Sequence, residues 1–544
     1  MFARRVCTWL FLTVFSASVA FAQFTSGLQG TVQDPSGAGI GKANIQLVND
    51  ATAATASKTT DASGGFRFLN LAPGAYTLKV TAGGFTKAEA HVTLLTEQSL
   101  NIPVTLQVGA VTESVTVSTQ EPLIDTADNR NEMTLENTGV AELPVAGRNL
   151  VTLTTLAPGV SGLGTTGGGQ PGSAGTPGSG VDNYSTETQV DASANGQGQM
   201  SNMYVIDGLD VTSGIRQGVL NLTPNPESIQ ETSIQVNTYS PEYSRASGVE
   251  EVLTTKSGSD KFHGSAADWY YTRQMFAKEF TTPNGYLPFH GNNMSGAIGG
   301  PIIPRKQFFF YFAVEPLRST AASSSVITFA DPAFLAWAKT NYPSTVGTGV
   351  LNSELPTNVT AATVSQTGSS LFPTTCGTAA ADNLPCGLAM IDSGSFSAPA
   401  IRNGTQFFGR LDKQFNNDAI YASFYRTLLT YGSASAIPDF STLDNNWQLA
   451  LQINEGHTFK SGMVNEAIFG FNRVEGVLGS GAKNYTIPSI GVTGISTEGG
   501  QAFGVGFAQG DFIQHNYHWR DVLSRAHRPS PPDRSLLRTH NWRG

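Results

Sequence analysis

The eight residues Trp447-Gln448-Leu449-Ala450-Leu451-Gln452-Ile453-Asn454 constrain this chain more than any other stretch. Apolar side chains point one way and mostly amides the other, because successive side chains of a strand leave opposite faces. A weaker version spans 405–415, where Thr405, Phe407, Gly409, Leu411, Lys413 and Phe415 oppose Gln406, Phe408, Arg410, Asp412 and Gln414. Residues 262–273, 307–315, 419–427 and 464–473 read as further strands of this kind. A lipid-facing apolar side and a polar lumen side require that dyad period. A soluble sandwich alternates too. The run Phe308-Phe309-Phe310-Tyr311-Phe312 suits a membrane aromatic girdle, and a buried core strand would also account for it.

Composition narrows the choice. At 544 residues the chain needs two or three domains. Charged residues are 13%, and 59 Gly with 27 Pro favour turn-rich β-architecture over helical bundles. A net charge of -9 argues against a nucleic-acid partner. Residues 1–22 read as a secretory leader: Arg4 and Arg5, an apolar core over 6–15, and Ala20-Phe21-Ala22 before the cut. The apolar core is short of the ~20 residues a spanning helix needs. No later stretch reaches that length, so any membrane crossing uses a barrel. Cys7 leaves with the leader. Cys376 and Cys386, ten apart in an exported protein, are expected to form a disulfide, and their spacing fits no zinc pattern.

In chain order, 24–107 gives about seven short strands at sandwich spacing, with Tyr76, Leu78 and Val80 on one face. His91 stands alone and reads as a surface residue. Residues 108–120 form an extended, β-branched linker. In 142–160, ELPVAGRNLVTLTTLAPGV, a short helix is expected between the Gly147 turn and the Pro158-Gly159 stop, with Arg148 exposed by default and contact with the inner wall of a barrel as the alternative. Residues 161–180 are a Gly-, Ser-, Thr- and Pro-rich loop without the Lys that a phosphate cradle needs. Residues 203–209 read as a buried strand ending in an Asp-Gly turn, followed by strands over 229–236 and 249–255. Asp207 and Asp210 flank Gly208 without a calcium loop around them, so a turn is expected. With no Ser-centred nucleophile elbow, no HExxH and no convincing carboxylate pair, the chain does not read as an enzyme.

VIDGLD, SIQETSIQVNTYSPEYSR and VLTTKSGSDKFHGS resemble the end of the plug in TonB-dependent outer-membrane receptors. The similarity is to the Oar-like branch, which carries a carboxypeptidase-regulatory-like domain before the plug. GGPIIPRKQFFFYF resembles the turn and second strand pair of that family's barrel. The resemblance implies an all-β chain: a transthyretin-like β-sandwich (24–107), a linker (108–120), an α+β plug (121–258) and the first part of a transmembrane β-barrel (259–519). It implies a TonB box, for which Glu113, Ser114, Val115, Thr116, Val117 and Ser118 are the candidates, although this stretch reads equally as the plug's first strand. An unpaired strand of this kind would add to the edge of a partner's sheet. Gly147, Arg148, Asn149, Asp207 and Gly208 would be plug-motif residues. The implied location is the outer membrane, with outer-membrane lipid around the barrel and TonB with ExbB and ExbD as partners. The implied cargo is an oligosaccharide, peptide or metal chelate, imported without a cofactor. The rival reading is a surface adhesin or a carbohydrate- or protein-binding sandwich without active transport. Residues 318–402 are expected outside the cell. The Arg-, Pro- and His-rich tail within 520–544 departs from the family pattern and reads as frameshifted. About 260 residues of barrel-like sequence would give about ten strands of ~10 residues, against 22 in the family's transporters, so a truncated barrel is expected.

Overall fold

The computed structural model describes residues 26–96, 98–109, 114–116, 131–136, 139, 143, 145–165, 182–237, 247–275, 289–353, 356–415, 417–434, 436, 437, 441, 443–459, 463–478 and 510–525. The expected leader, the expected loop of 161–180 beyond residue 165 and the tail beyond 525 lie outside them, whereas residues 161–165 of that loop are strand. So do Glu113, Val117 and Ser118 of the expected TonB box.

The N-terminal unit is two small sheets face to face. In one, β1 (Ser26–Gln33) pairs antiparallel with β4 (Gly65–Leu71) and parallel with β7 (Ser99–Asn101) and β8 (Val104–Thr105). The other runs β3 (Thr55–Thr59), β2 (Asn44–Asn49), β5 (Gly74–Thr81), β6 (Lys87–Leu94), β9 (Ser114–Thr116). Alternation sends Ile45, Leu47, Tyr76, Leu78 and Val80 inward against Leu28, Val32, Phe66 and Phe68 of the facing sheet. Each buried side chain of this size contributes roughly 1.5–3 kcal/mol. Asp34 and Asp61 close matching turns, their carboxylates accepting from Ser36 N and Ala38 N and from Ser63 N and Gly65 N at 2.8–3.0 Å.

The middle unit carries a five-stranded sheet in the order β10 (Asn131–Glu136), β16 (Ile229–Asn237), β17 (Glu250–Thr255), β13 (Met203–Ile206), β14 (Leu209–Asp210). Only the β13–β17 pairing in it is parallel. A smaller sheet of β11 (Val160–Thr165), β12 (Thr188–Ala194) and β15 (Val219–Leu220) lies beside it. The helix expected after Gly147 is a 3-10 helix, Leu150–Leu156, with Leu150, Val151 and Leu153 buried.

The remainder is a long antiparallel wall: β18 (His263–Thr272), β19 (Phe289–Ile303), β20 (Phe308–Ala330), β22 (Ala389–Gln414), β23 (Asp418–Ser433), β24 (Asp444–Thr458), β25 (Met463–Leu478) and β26 (Gly510–Arg525). Between them β21 (Val359–Thr367) pairs with the start of β22. In β24, Asn446, Gln448, Ala450, Gln452 and Asn454 are buried under the middle unit. Leu451 and Ile453 stay 45% and 54% exposed on the outer face. That distribution is the inverse of a soluble core, with amides in and aliphatics out. Phe309 and Tyr311 likewise point inward, whereas Phe308, Phe310 and Phe312 alternate to the less buried side.

Short connections such as 304–307 gather at one end of the wall. The long insertion lies at the other end and is smaller than expected. β20 and β22 keep pairing from Phe308–Lys413 out to Ala330–Ile391, so Arg318 and Arg402 are strand residues and the insertion spans 331–388. The Ser- and Ala-rich outer halves carry too little alternation to show this. Within the insertion, Asp331 caps α1 (Pro332–Asn341) by accepting from Ala333 N at 2.6 Å. Cys376 and Cys386 are disulfide-bonded beside a small core of Leu384, Met390 and Ile391. Among the described residues, no helix is long and apolar enough to cross a membrane.

Candidate functional site: the interface between plug and wall

The middle unit is held against the wall chiefly by buried polar groups. The tightest seat belongs to the Asp207-Gly208 turn. Val205 pairs with Asp210 and Ile206 with Leu209, leaving a two-residue loop with positive φ at both positions (48° and 80°), the type I′ geometry that Asp-Gly favours. Its tip enters the wall. Asp207 O accepts from Gln452 Nε2 at 2.6 Å and Tyr421 OH at 3.2 Å. The Asp207 carboxylate accepts from Thr255 N, Thr255 Oγ1 and Arg410 Nη1 at 2.9, 2.5 and 3.2 Å. Arg410 also binds Asp412 at 2.7 Å and stacks 4.0 Å from the Tyr421 ring. A Cβ at position 208 would lie 2.7 Å from Ile468 Cδ1, and the φ of 80° by itself favours glycine there. Burial pushes the Asp207 carboxyl up, against the pull of Arg410.

The second seat is built on Gly147, Arg148 and Asn149. Gly147 and Arg148 both have positive φ, 63° and 56°, which swings the guanidinium away from the 3-10 helix and toward the wall. Arg148 Nε donates to Glu315 Oε1 at 3.0 Å, Nη2 lies 3.7 Å from Glu227 Oε1, and Cζ sits 3.3 Å from the Trp269 ring centroid. The side chain is 13% exposed, so the expectation of solvent exposure is overturned. Its partners lie up to 167 residues away, out of reach of local sequence patterns. Asn149 Nδ2 donates to Asp182 O at 3.1 Å, and Asn183 N donates to Gly147 O at 3.2 Å, tying this turn to the following segment.

That segment completes the interface. Gln406 Nε2 donates to Asn183 O at 2.6 Å and Thr223 O at 2.9 Å. Tyr184 packs its ring where a Cβ on Gly404 would sit, and its hydroxyl reaches Asn293 Oδ1 at 2.9 Å. Arg402 pairs with Asp182 at 2.5 Å, Ser213 Oγ donates to Gln514 Oε1 at 3.0 Å, and Arg216 pairs with Glu187. An apolar patch also crosses the interface, where Leu150, Tyr204, Leu209 and Leu220 meet Tyr311, Phe408, Tyr425 and Ala450. Sequence reasoning singled out Arg148, Asn149 and Asp207 and missed the wall residues that Arg148 and Asp207 meet, Trp269, Glu315, Arg410, Tyr421 and Gln452.

One acid in the plug's own core is unusual. Thr154 Oγ1 lies 2.6 Å from both Val151 O and Glu251 Oε2. A hydroxyl has one proton. Thr154 therefore shares that proton between Val151 O and the Glu251 carboxyl, both of which accept. Burial pushes Glu251 up to about 8, opposed by Thr154.

Elsewhere, Ser114–Thr116 of the expected TonB box forms β9 and pairs parallel with Lys87–Glu89 at the edge of the sandwich, outside the plug's sheet. The sandwich meets the plug through a tight turn, where Thr96 N donates to Glu231 and Thr96 Oγ1 lies 2.6 Å from Thr254 Oγ1. Among the described residues, one group could hold a metal ion: Asp418, Glu455 and His457 on the outer face of the wall. The 2.5 Å pairing of His457 Nδ1 with Asp418 Oδ1 already accounts for it. His515 and His518, three residues apart, fall on opposite faces of β26 and form no shared site.

A wall with amides inside and aliphatics outside, filled by a separately folded unit, is the arrangement of a plugged outer-membrane barrel. The chain belongs to the outer membrane beta barrel domain family, whose profile matches residues 254–527, and residues 27–107 match the carboxypeptidase regulatory-like domain. It is 29% identical over 270 residues to the TonB-dependent transporter Oar of Myxococcus xanthus, covering 46% of this chain and 23% of that protein. The chain thus spans about a quarter of that relative's length. Among solved structures it is similar to the outer membrane transporter YddB of Escherichia coli (TM-score 0.44, 9% identity, 72% of this chain and 45% of that one). It is also similar to the siderophore receptor PirA of Acinetobacter baumannii (TM-score 0.37, 11% identity, 72% and 44%). The protein is an outer-membrane β-barrel protein.

Proposed function

We propose that this chain is the plug-bearing part of a TonB-dependent transporter, which binds a scarce ligand outside the cell and admits it when the plug is pulled. The observation that carries this reading is the chemistry of the plug–wall interface. Asp207, Arg148, Asn183 and Tyr184 are held by hydrogen bonds that water can replace, so much of the plug's grip on the wall can be exchanged for solvent. The Glu113 to Ser118 stretch would serve as the TonB box by strand addition to the partner, TonB with ExbB and ExbD supplying force from the proton gradient. An oligosaccharide, a peptide or a metal chelate is the cargo class of this reading.

The test needs no ligand. Ser228 is fully buried, with Oγ 3.0 Å from Tyr425 OH. A Ser228→Cys variant of the full chain is expressed in a Gram-negative outer membrane. Maleimide labelling of the thiol introduced at position 228 should rise in energised cells, fall with a proton uncoupler, and fall when Val115 is replaced by Pro. Labelling indifferent to all three would favour a passive adhesin.

A further inference from the structure

The outer face of the wall carries a charge pattern that the transport reading does not use. On β23, outward positions run Asp418, Ile420, Ala422, Phe424, Arg426. On β24 they run Trp447, Leu449, Leu451, Ile453, Glu455, and on β25 Asn465, Ala467, Phe469, Phe471, Arg473. From Asp418 to Arg426 is eight residues, about 26 Å along the strand. Tilted as barrel strands are, that is roughly 20 Å, close to the ~25 Å apolar belt of an outer-membrane barrel. The two charged rows therefore fall near the two edges of the belt, with Leu428 and Ile513 one step outside the second row, and they differ in sign. Asp418, Glu455 and Asp521 lie at the end with the short turns, and Arg426, Arg473 and His515 at the end with the long insertion, which is the external one.

At the external rim the cations are organised. Arg426 Cζ lies 4.0 Å and Arg473 Cζ 4.9 Å from the centroid of one ring, Trp447, although the two arginines come from different strands. Glu475 pairs with Arg473, and among the described residues no carboxylate lies within ion-pair distance of Arg426. Glu475 offsets one of the two guanidinium charges on this indole, and a phosphate suits their donor geometry and would take up the other. Phe471 and Tyr517, packed 5.2 Å apart beside His515, extend the aromatic floor toward the hydrocarbon. We propose that Arg426, Trp447 and Arg473 form a lipid-headgroup site on the outer face, which binds a phosphate-bearing lipid of the outer leaflet. The acidic inner rim disfavours the same headgroup there, so the pair of rims fixes the wall's depth and orientation.

The full chain purified in detergent micelles is titrated with diphosphorylated lipid A and, separately, with the same lipid after dephosphorylation, and retained lipid is read by native mass spectrometry. The phosphorylated lipid should bind, and the Arg426→Gln/Arg473→Gln double variant should hold it about tenfold more weakly. Because that variant could disturb the wall, Glu475→Gln is measured beside it. It removes only the competing carboxylate and should bind several-fold more tightly. Asp418→Asn/Glu455→Gln at the opposite rim should bind as the parent does. Equal retention of the dephosphorylated lipid, displacement by inorganic phosphate at matched concentration, or no change in either the double variant or Glu475→Gln would each overturn the proposal. An equal loss in the opposite-rim variant would do the same.

Discussion

The sandwich and the plug are both small β-units, and they are held in opposite ways. The sandwich closes on side chains such as Leu28, Ile45, Leu47, Phe68 and Leu78, and its polar groups serve the turns. The plug buries Glu187, Asp207, Glu231, Glu250 and Glu251, and much of its grip on the wall is polar. Burying charge brings little net stability, because the desolvation cost roughly cancels the attraction. Breaking one such pair is nevertheless expensive, because it strands the partner. A unit fastened this way is specific in position yet separable, whereas a unit closed on aliphatics is meant to stay shut.

The sharpest way to break the comparison is Arg148→Ala. It leaves Glu315 buried without its cation and should cost about 3–5 kcal/mol of plug docking, read as earlier proteolysis of the plug in urea while the sandwich is unaffected. Leu78→Ala is the mirror experiment. The cavity should cost the sandwich about 2–5 kcal/mol in chemical denaturation and leave plug docking unchanged. Glu251 sharpens the picture through pH. Its carboxyl is raised from the ordinary 4.5 to about 8 in the folded plug, so its contribution is fully present below pH 4.5 and is lost as pH rises toward 8. Plug stability should decline across that window, and Glu251→Gln should flatten the decline, gaining roughly 1–3 kcal/mol at pH 8. The smallest effect is expected from Gly208→Ala, where a φ of 80° and the Ile468 contact together should cost about 1–2 kcal/mol, seen as a lower urea midpoint for the plug alone.

What could be read from the sequence was whatever is local. Asp207-Gly208 announced its turn because two adjacent residues with positive φ need that chemistry. Trp447 to Asn454 announced two faces because the strand period is two. The strand Phe289–Ile303, rich in Gly and Asn, carried little such signal, since its inward positions Gly291, Asn293, Ser295, Ala297 and Gly299 are small or polar like most of their outward neighbours. The burial of Arg148 was illegible for a different reason. Its fate depends on Glu315 and Trp269, more than a hundred residues downstream, and on two left-handed residues that no pattern in GRN demands. The pairing of Ser114–Thr116 with the sandwich was hidden likewise, because an edge strand accepts almost any extended partner.

The most direct measurement is hydrogen exchange on the full chain in outer-membrane vesicles as urea is raised. A plug held by replaceable polar contacts should release β16 and β17 to exchange well before the sandwich strands β2 and β5 or the wall strands β23 and β24. A single shared midpoint for plug and wall would mean that the two form one inseparable core, and would contradict the account.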